Sequence, residues 1–144
     1  EAVTLDDYFA DDPRRIDFIK LDTQGAEVAI LRGMPRILAA NENLRMAVEF
    51  WPSGLEQFGY QTDELLEILE QANFRLFDLA GPRRSPLREV SGAFMQSRYS
   101  RHHGDLFVVK RGAGLTALTS QLGIKVVSPA PADTTAPAQR EAAQ

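Results

Sequence analysis

The segment Asp17–Glu27 reads DFIKLDTQGAE and indicates an open α/β sheet. An apolar strand runs directly into an acid, a glycine and the start of a helix. Ligands of open α/β sheets bind outside the carboxyl ends of the strands, where the strand-to-helix loops converge. Gly25 permits a tight backbone turn, and the helix dipole favours Glu27 in a first helical turn. We therefore expect Asp22 to stand at a ligand-binding edge of the sheet.

The apolar pattern around this segment predicts two strands and a crossover helix. Residues 16–21 carry apolar side chains on both faces, as expected of a parallel strand that is covered on each side. The helix that follows has apolar residues at three- and four-residue steps, and Gly33 and Pro35 break it into two pieces. Residues 44–50 form the second strand. This strand–helix–strand unit predicts two adjacent parallel strands.

The next part of the chain predicts a helix and two more strands. Thr62 caps a helix that continues to Ala72 and has a stripe of buried leucines and isoleucine. Residues 74–79 form the third strand, and residues 105–110 form the fourth. We interpret residues 80–103 as a loop. Because no helix is expected between the last two strands, we predict that they pair antiparallel.

Composition limits the classes of function. The 144 residues suit one domain. Sixteen basic against twenty acidic residues give a net charge of −4, which argues against a general nucleic-acid binder. The chain has no cysteine, so disulfides and thiolate metal sites are excluded, and no long apolar run predicts a membrane span or secretory signal. We expect a cytoplasmic protein with no nucleic-acid and no membrane partner.

Asp22 and Glu49 end neighbouring strands, so two carboxylates are expected at one edge of the sheet. Such a pair can position a substrate hydroxyl, accept its proton or hold a divalent cation. Alternatively, Asp22 caps the next helix and Glu49 pairs with an arginine. Glu27 has two structural alternatives: it favours the helix start as a first-turn acid, or it holds the loop by bonding backbone amides. Trp51 walls a substrate pocket or simply packs. We predict Asp22 and Glu49 as catalytic residues, and Glu27 and Trp51 as substrate-binding residues.

The region 80–103 is basic and contains the adjacent histidines His102 and His103. These histidines can supply a base near neutral pH and, with the nearby arginines, can grip an anionic substrate. The alternative that we favour is a solvated basic loop, because adjacent histidines need not face the same way.

The opening segment resembles the Asp-x-x-Gly-Ala-Glu motif of the FkbM family of S-adenosylmethionine-dependent methyltransferases. Thr4–Asp7 (TLDD) is similar to the lead-in of that family, and Ala47–Leu55 (AVEFWPSGL) resembles the Glu-Phe-Trp-Pro segment of one branch. Order and spacing agree over residues 3 to about 111. The resemblance implies an α/β fold: the C-terminal half of a Rossmann-like class I methyltransferase sheet, mostly parallel with an antiparallel last strand.

The resemblance also implies an activity and a cofactor. The activity is methyl transfer from S-adenosylmethionine, most simply to an oxygen of a small molecule or a sugar-containing substrate. Asp22, Thr23 and Gln24 correspond to the loop that borders the methionine end of the cofactor. Gln24 stands where the family more often has Glu, so no metal site is expected. The alternative is a non-catalytic binding or interaction module that retains the methyltransferase sheet.

The resemblance, together with the pattern and composition of the C-terminal residues, divides the chain into three parts. Residues 1–111 form a partial methyltransferase domain that lacks the N-terminal glycine-rich cofactor loop, and residues 112–127 form a weak amphipathic extension. We expect residues 128–144 to be a disordered Ala/Pro/Thr tail. The chain enters at Glu1 in mid-element, so we expect a piece of a longer polypeptide that is inactive alone. The exposed edge of its first strand would then favour homo-oligomers.

Overall fold

The computed structural model describes residues 2–79, 86–112 and 125–127 of the chain. These residues contain six helices and six strands. The helices are α1 (Leu5–Tyr8), α2 (Glu27–Arg32), α3 (Pro35–Ala40), α4 (Pro52–Gln57), α5 (Thr62–Gln71) and α6 (Gly92–Arg98). The strands are β1 (Phe18–Leu21), β2 (Arg45–Phe50), β3 (Phe74–Asp78), β4 (Leu87–Val90), β5 (Gly104–Lys110) and β6 (Val126–Val127).

All six strands belong to one mixed sheet, in the order β1-β2-β5-β3-β4-β6. β1 and β2 are adjacent and parallel, as the sequence predicts. β5 is inserted between β2 and β3 and is antiparallel to both, which confirms the antiparallel pairing of the third and fourth predicted strands. The expectation of a mostly parallel sheet holds only for its first part. β4, β5 and β6 run opposite to β1, β2 and β3 because β3 and β4 also pair antiparallel.

The expectation of a loop over residues 80–103 is wrong in the part that the structure describes. β4 contributes the buried side chains of Leu87 and Val90, and α6 contributes the buried Met95. The Ser91 hydroxyl caps α6 by accepting a hydrogen bond from the Phe94 amide at 3.2 Å. Each element carries only one or two buried apolar residues among polar ones, so hydrophobic periodicity does not reveal it.

The helices pack on one face of the sheet. Alternate β2 residues, Met46, Val48 and Phe50, are completely buried in a core shared with helix side chains that include Leu31, Leu55, Leu65, Leu69 and Met95. On the opposite face Phe18 is 55% exposed. Among the described residues, therefore, β1 is not covered on both faces, contrary to expectation.

The bounds of α2, α3 and α5 follow from the residues that break or cap these helices. The crossover helix is divided into α2 and α3 by Gly33 and the N-terminal Pro35, as predicted. α5 begins at Thr62, and the cap lies one residue earlier than predicted. The Gln61 backbone amide donates to the Glu64 carboxylate at 2.9 Å. The Thr62 hydroxyl accepts a hydrogen bond from the Gln96 side chain in α6 instead of capping α5. Such one-residue shifts are common at helix ends.

The predicted C-terminal parts lie mostly outside the described residues. Of the predicted extension over 112–127, the structure describes Gly112 and residues 125–127, and Val126–Val127 pairs with β4. The residues expected to form the amphipathic turn lie outside the described residues. The predicted tail, residues 128–144, lies outside the described residues entirely.

None of the helices in the described ranges is long and apolar enough to cross a lipid bilayer.

Candidate functional site

The site is built at the edge of the sheet where β1, β2 and β3 end, which we call the carboxyl edge. Leu21 pairs with Val48, so Asp22, which directly follows β1, and Glu49, near the end of β2, lie at this edge together. β5 begins at the same edge, because Glu49 is opposite Asp105 in the ladder. The structure thus brings together the two acids that the sequence placed at strand ends.

Gln24 connects the two acids. Its side-chain amide donates to Asp22 Oδ1 at 3.2 Å and to the Glu49 carboxylate oxygens at 3.1 and 3.3 Å. The Gln24 backbone is in the left-handed region with φ of 57°, an uncommon conformation for a residue other than glycine. On the other side of Asp22, Lys20 Nζ lies 2.6 Å from Oδ2. A continuous polar chain therefore runs from Lys20 through Asp22 and Gln24 to Glu49.

Neither structural alternative for the two acids is realised in the described residues. α2 begins after Ala26, and no side chain caps it, so Asp22 is not a helix cap. Glu49 is hydrogen-bonded to Gln24 rather than paired with an arginine. Both carboxylates therefore remain candidates for chemistry.

Glu27 holds the loop that carries Asp22 and Gln24. Its side chain is almost completely buried, at 1% exposure. One carboxylate oxygen accepts hydrogen bonds from the Thr23 amide and hydroxyl, and the other accepts from the Gly25 amide, all at 2.9 Å. Both oxygens are thus occupied within the loop. This arrangement accounts for Glu27 structurally, and its contact with a substrate stays a prediction.

Two glycines bring the loop against α4. Gly25 has φ of 110°, and a Cβ there would lie 2.5 Å from the Gly54 carbonyl carbon and 2.9 Å from the Phe58 ring. Gly54 in turn is covered by Trp51, since a Cβ on Gly54 would lie 2.8 Å from the indole Cδ2. The half-buried Trp51 therefore packs on its own helix. Its role as a pocket wall also stays a prediction.

The surroundings move the pKa values of the two acids in opposite directions. The hydrogen bond and charge of Lys20 lower the pKa of Asp22, whose side chain is 44% exposed. Burial raises the pKa of Glu49, which is 9% exposed, and repulsion from Asp22 and Glu27 adds to the effect. Titratable pairs whose pKa values are separated in this way are typical of acid–base sites. Glu49 is the better proton acceptor, and Asp22 the more permanent anion.

The polar groups of the loop fit only one end of a cofactor. The Thr23 and Gly25 amides already donate to Glu27, so they are not available to a ligand. The exposed Asp22 carboxylate can accept a hydrogen bond from an ammonium or hydroxyl group. Among these groups, therefore, the loop offers an acceptor for the ammonium group of a bound molecule but no backbone donor for an anionic group.

The described residues line a cavity away from the site, and they contain no metal-ligand cluster. A cavity of about 640 Å³, lined by residues that include Phe9, Ile16 and Asn41, lies at the opposite end of β1. In the described part of the chain, no group of three or more histidine, aspartate and glutamate side chains is arranged to hold a metal ion.

Sequence reasoning missed Lys20 and the groups around Asp78. Lys20 is two residues before Asp22, and this period-two spacing on a strand was the available signal. Asp78 ends β3 just as Asp22 follows β1. Its Oδ1 accepts a hydrogen bond from the Tyr99 hydroxyl at 2.7 Å, and its Oδ2 lies 3.1 Å from Arg98 Nε. Tyr99 had no sequence signal, because its contact depends on the undetected α6.

The fold is therefore a mixed α/β sheet with a polar, partly exposed site where parallel strands end, which is where ligands bind in open α/β proteins. Residues 1–76 match the family model described as the methyltransferase FkbM domain, and this match covers more than half of the chain. The chain belongs to the FkbM methyltransferase family, which confirms the resemblance, although the match ends at residue 76 rather than near 111. Methyl transfer is the activity that this membership indicates. A search of curated proteins and a search of solved structures gave no significant match.

Proposed function

We propose that this chain supplies the acceptor side of an S-adenosylmethionine-dependent O-methyltransferase of the Rossmann-like class. One observation carries the proposal: Gln24 bridges two strand-end carboxylates whose pKa values are shifted in opposite directions. The order β1-β2-β5-β3, with β5 inserted antiparallel, supports the class assignment. Small hydroxylated molecules and sugar-containing compounds are the proposed acceptors.

In the proposed mechanism Glu49 removes the proton from the acceptor hydroxyl while that oxygen forms its new bond to the methyl carbon. S-adenosylmethionine, when bound, would supply the methyl group: the bond from the methyl carbon to the sulfonium sulfur breaks as the bond to the acceptor oxygen forms, and S-adenosylhomocysteine leaves. Asp22 remains ionised and accepts a hydrogen bond that orients the acceptor or the polar end of the cofactor beside Thr23 and Gln24. Glu27 keeps the loop in one conformation, so that alignment is established before the reaction.

Substitution of the two acids tests this mechanism in the longer protein that we expect to contain the glycine-rich cofactor loop. Transfer of a labelled methyl group to a panel of sugars and phenols is measured for Glu49→Gln and Asp22→Asn. Loss of a general base costs on the order of 10²–10⁴ in rate, so Glu49→Gln should lose that much and still bind the cofactor. Asp22→Asn should lose less, because it removes orientation rather than the proton acceptor.

The matched control is Glu56→Gln, which changes an exposed acid on α4. It should transfer methyl groups at the wild-type rate. Normal turnover by Glu49→Gln would contradict the assignment of Glu49 as the base, and an equal loss in Glu56→Gln would show that the effect is not specific to the site.

A non-catalytic binding module is the second candidate. The observation that favours it is that Glu27 occupies the Thr23 and Gly25 amides, which leaves few backbone donors for a cofactor in this chain. The sequence upstream of Glu1 separates the two candidates. A strand followed by a glycine-rich loop supports the enzyme, and its absence supports the module.

We also propose that, in the 144-residue chain by itself, the outer edge of β1 pairs with a second copy of the chain. The Asp17 carbonyl accepts a hydrogen bond from the Arg45 amide at 3.1 Å, so alternate backbone groups, at Phe18 and Lys20, point away from β2. The exposed Phe18 side chain adds apolar surface. Analytical ultracentrifugation should detect a dimer that Phe18→Lys weakens. Cytoplasmic location and the lack of nucleic-acid and membrane partners stay predictions from composition.

A further inference from the structure

The cavity at the opposite end of β1 from the candidate site has a volume of about 640 Å³. Pockets that bind small molecules have volumes of about 300–1,000 Å³, so this cavity is large enough to hold one. Its walls come from the turn after α1, the segment that leads into β1, and α3. The residues proposed for methyl transfer lie at the other end of β1. A ligand in this cavity would therefore be separate from the candidate site.

Hydrogen bonds between these segments hold the walls of the cavity in place. The buried Asn41 side chain accepts from the Ile16 amide at 2.9 Å and donates to the Ile37 carbonyl at 2.8 Å, so it joins the segment before β1 to α3. The buried Asp6 carboxylate joins α1 to α3, because it accepts from the backbone amides of Arg36 and Ile37 at 2.7 and 3.0 Å. The shape of the cavity is therefore set by contacts within the chain.

Six of the eleven residues that line the cavity are apolar. Phe9 and Ile16 are partly buried against the main core, and Ile37 is 7% exposed. The Phe9 ring is also held edge-on by the Tyr8 ring, with centroids 4.9 Å apart. The apolar part of the lining is thus continuous with the core, and it favours a ligand with an apolar body.

The charged residues of the lining are three arginines and one aspartate. Arg14 and Asp12 form an ion pair at 2.6 Å and compensate each other. Arg36 donates one hydrogen bond to the Asp6 carbonyl, and its Nε is 3.9 Å from the Asp6 carboxylate, so most of its donors are available. Arg15 is exposed and has no ion-pair partner among the described residues.

The lining therefore has an excess of positive charge, although the net charge of the chain is −4. Two further acids of this region, Asp7 and Asp11, line a neighbouring depression rather than this cavity. Guanidinium groups bind carboxylates and phosphates through strong, charge-assisted hydrogen bonds. The charge of the lining thus favours an anionic head group.

We propose that this cavity is a second binding site, which takes a small amphiphilic organic anion. The apolar body of the ligand lies against Phe9, Ile16 and Ile37, and its anionic head group is bound by Arg15 and Arg36. The proposal does not depend on the proposed methyl transfer, because it uses other residues at the other end of β1.

Octanoate, 1-octanol and octylammonium test the proposal in the 144-residue chain, because they share a chain length and differ in the charge of the head group. NMR titration follows the methyl groups of Ala10, Ile37 and Ala40, which line the cavity. Octanoate should shift these signals and bind about tenfold more tightly than octanol, since hydrogen bonds to a charged group contribute at least this much. Octylammonium should bind more weakly than octanol. Inorganic phosphate should not shift the signals, because it has no apolar body.

Two variants separate the head group from the apolar body. Arg15→Gln should weaken octanoate binding about tenfold and leave octanol binding unchanged. Ala40→Phe adds a ring at an exposed lining position at the end of α3 and should weaken both. Arg101→Gln is the matched control, because Arg101 is an exposed arginine at the carboxyl edge, and it should change neither.

Octanol that binds as tightly as octanoate, or unchanged octanoate affinity in Arg15→Gln, would overturn the assignment of an anionic ligand. If tens of millimolar octanoate left the three methyl signals unshifted, the binding site itself would be overturned. Neither result bears on the proposed methyl transfer, which Glu49→Gln tests separately.

Discussion

The two halves of the carboxyl edge use the same kind of residue in opposite ways. In the β1–β2 half, the Asp22 side chain is 44% exposed and is bound to Lys20 and Gln24. In the β3–β5 half, the Asp78 side chain is 7% exposed and is bound to Tyr99 and Arg98. A strand-end acid is thus available for a ligand in one half and takes part in internal contacts in the other.

The difference comes from what covers each acid. Asp22 is followed by the short β1–α2 loop, whose Thr23 and Gly25 amides donate to Glu27 rather than to Asp22. The Asp22 carboxylate therefore stays near solvent. Asp78 instead lies beside the end of α6, where Tyr99 and Arg98 bind its carboxylate and leave little of it exposed. Position at a strand end is therefore insufficient to identify a binding site. The element that covers the acid determines whether its carboxylate is open to a ligand.

The largest expected effect on folding is that of Gly25→Ala in the β1–α2 loop. The added Cβ would meet the Gly54 backbone, which cannot move aside easily, and the residue has φ of 110°. We expect a loss of about 3 kcal/mol or more in the free energy of unfolding, measured by urea denaturation. Gly59→Ala is the matched control, because Gly59 also has a positive φ but has open space around it. It should lose only about 1 kcal/mol. Equal losses would show that the loop is not tightly packed on α4.

The next effect is that of Glu27→Gln. The amide nitrogen cannot accept the hydrogen bond that the Gly25 or Thr23 amide donates, and a buried donor is left unsatisfied. We expect a loss of about 2 kcal/mol in the free energy of unfolding. Glu67→Gln on the exposed face of α5 should change it by less than about 0.5 kcal/mol. If Glu27→Gln were as stable as the wild type, the loop would not depend on these hydrogen bonds.

A smaller effect is expected for Tyr99→Phe in the β3–β5 half. It removes the hydrogen bond to Asp78 but keeps the ring against Gly104, so we expect a loss of about 1 kcal/mol in thermal or urea unfolding. Tyr8→Phe, at a residue that is 71% exposed, should be neutral. Methyl transfer at saturating substrate should be retained in Tyr99→Phe. A loss of rate as large as that of Glu49→Gln would place Asp78 and Tyr99 in the reaction and remove the contrast between the two halves.

The sequence predicted the β1–β2 half because its signals are local. A buried strand, an acid, a glycine and a first-turn acid occur within the single segment Asp17–Glu27, and the crossover to β2 follows by the handedness of such units. The Gln24 bridge could not be predicted, because it needs a left-handed backbone at a residue that rarely adopts one. That Glu27 holds its own loop through backbone amides was one of the alternatives open from the sequence, and the structure confirms it.

In the β3–β5 half, the two main strands were predicted, but β4 and α6 were missed because they are short and depend on tertiary contacts. β4 has four residues and α6 has seven, and each buries one or two apolar side chains. Tyr99 finds its partner Asp78 only after β3, α6 and β5 have come together. Hydrophobic periodicity does not contain this information.

The proposed mechanism requires Glu49 to be the proton acceptor and Asp22 to remain a fixed anion. Carboxyl ¹³C NMR titration of both residues in one sample measures whether their pKa values are separated, with Glu49→Gln and Asp22→Asn used to assign the signals. We expect a Glu49 pKa above the ordinary value for glutamate and an Asp22 pKa below the ordinary value for aspartate. The Glu49 pKa should fall in Asp22→Asn, because a repelling charge is removed. If Asp22 titrated at higher pH than Glu49, the two acids could not have these roles.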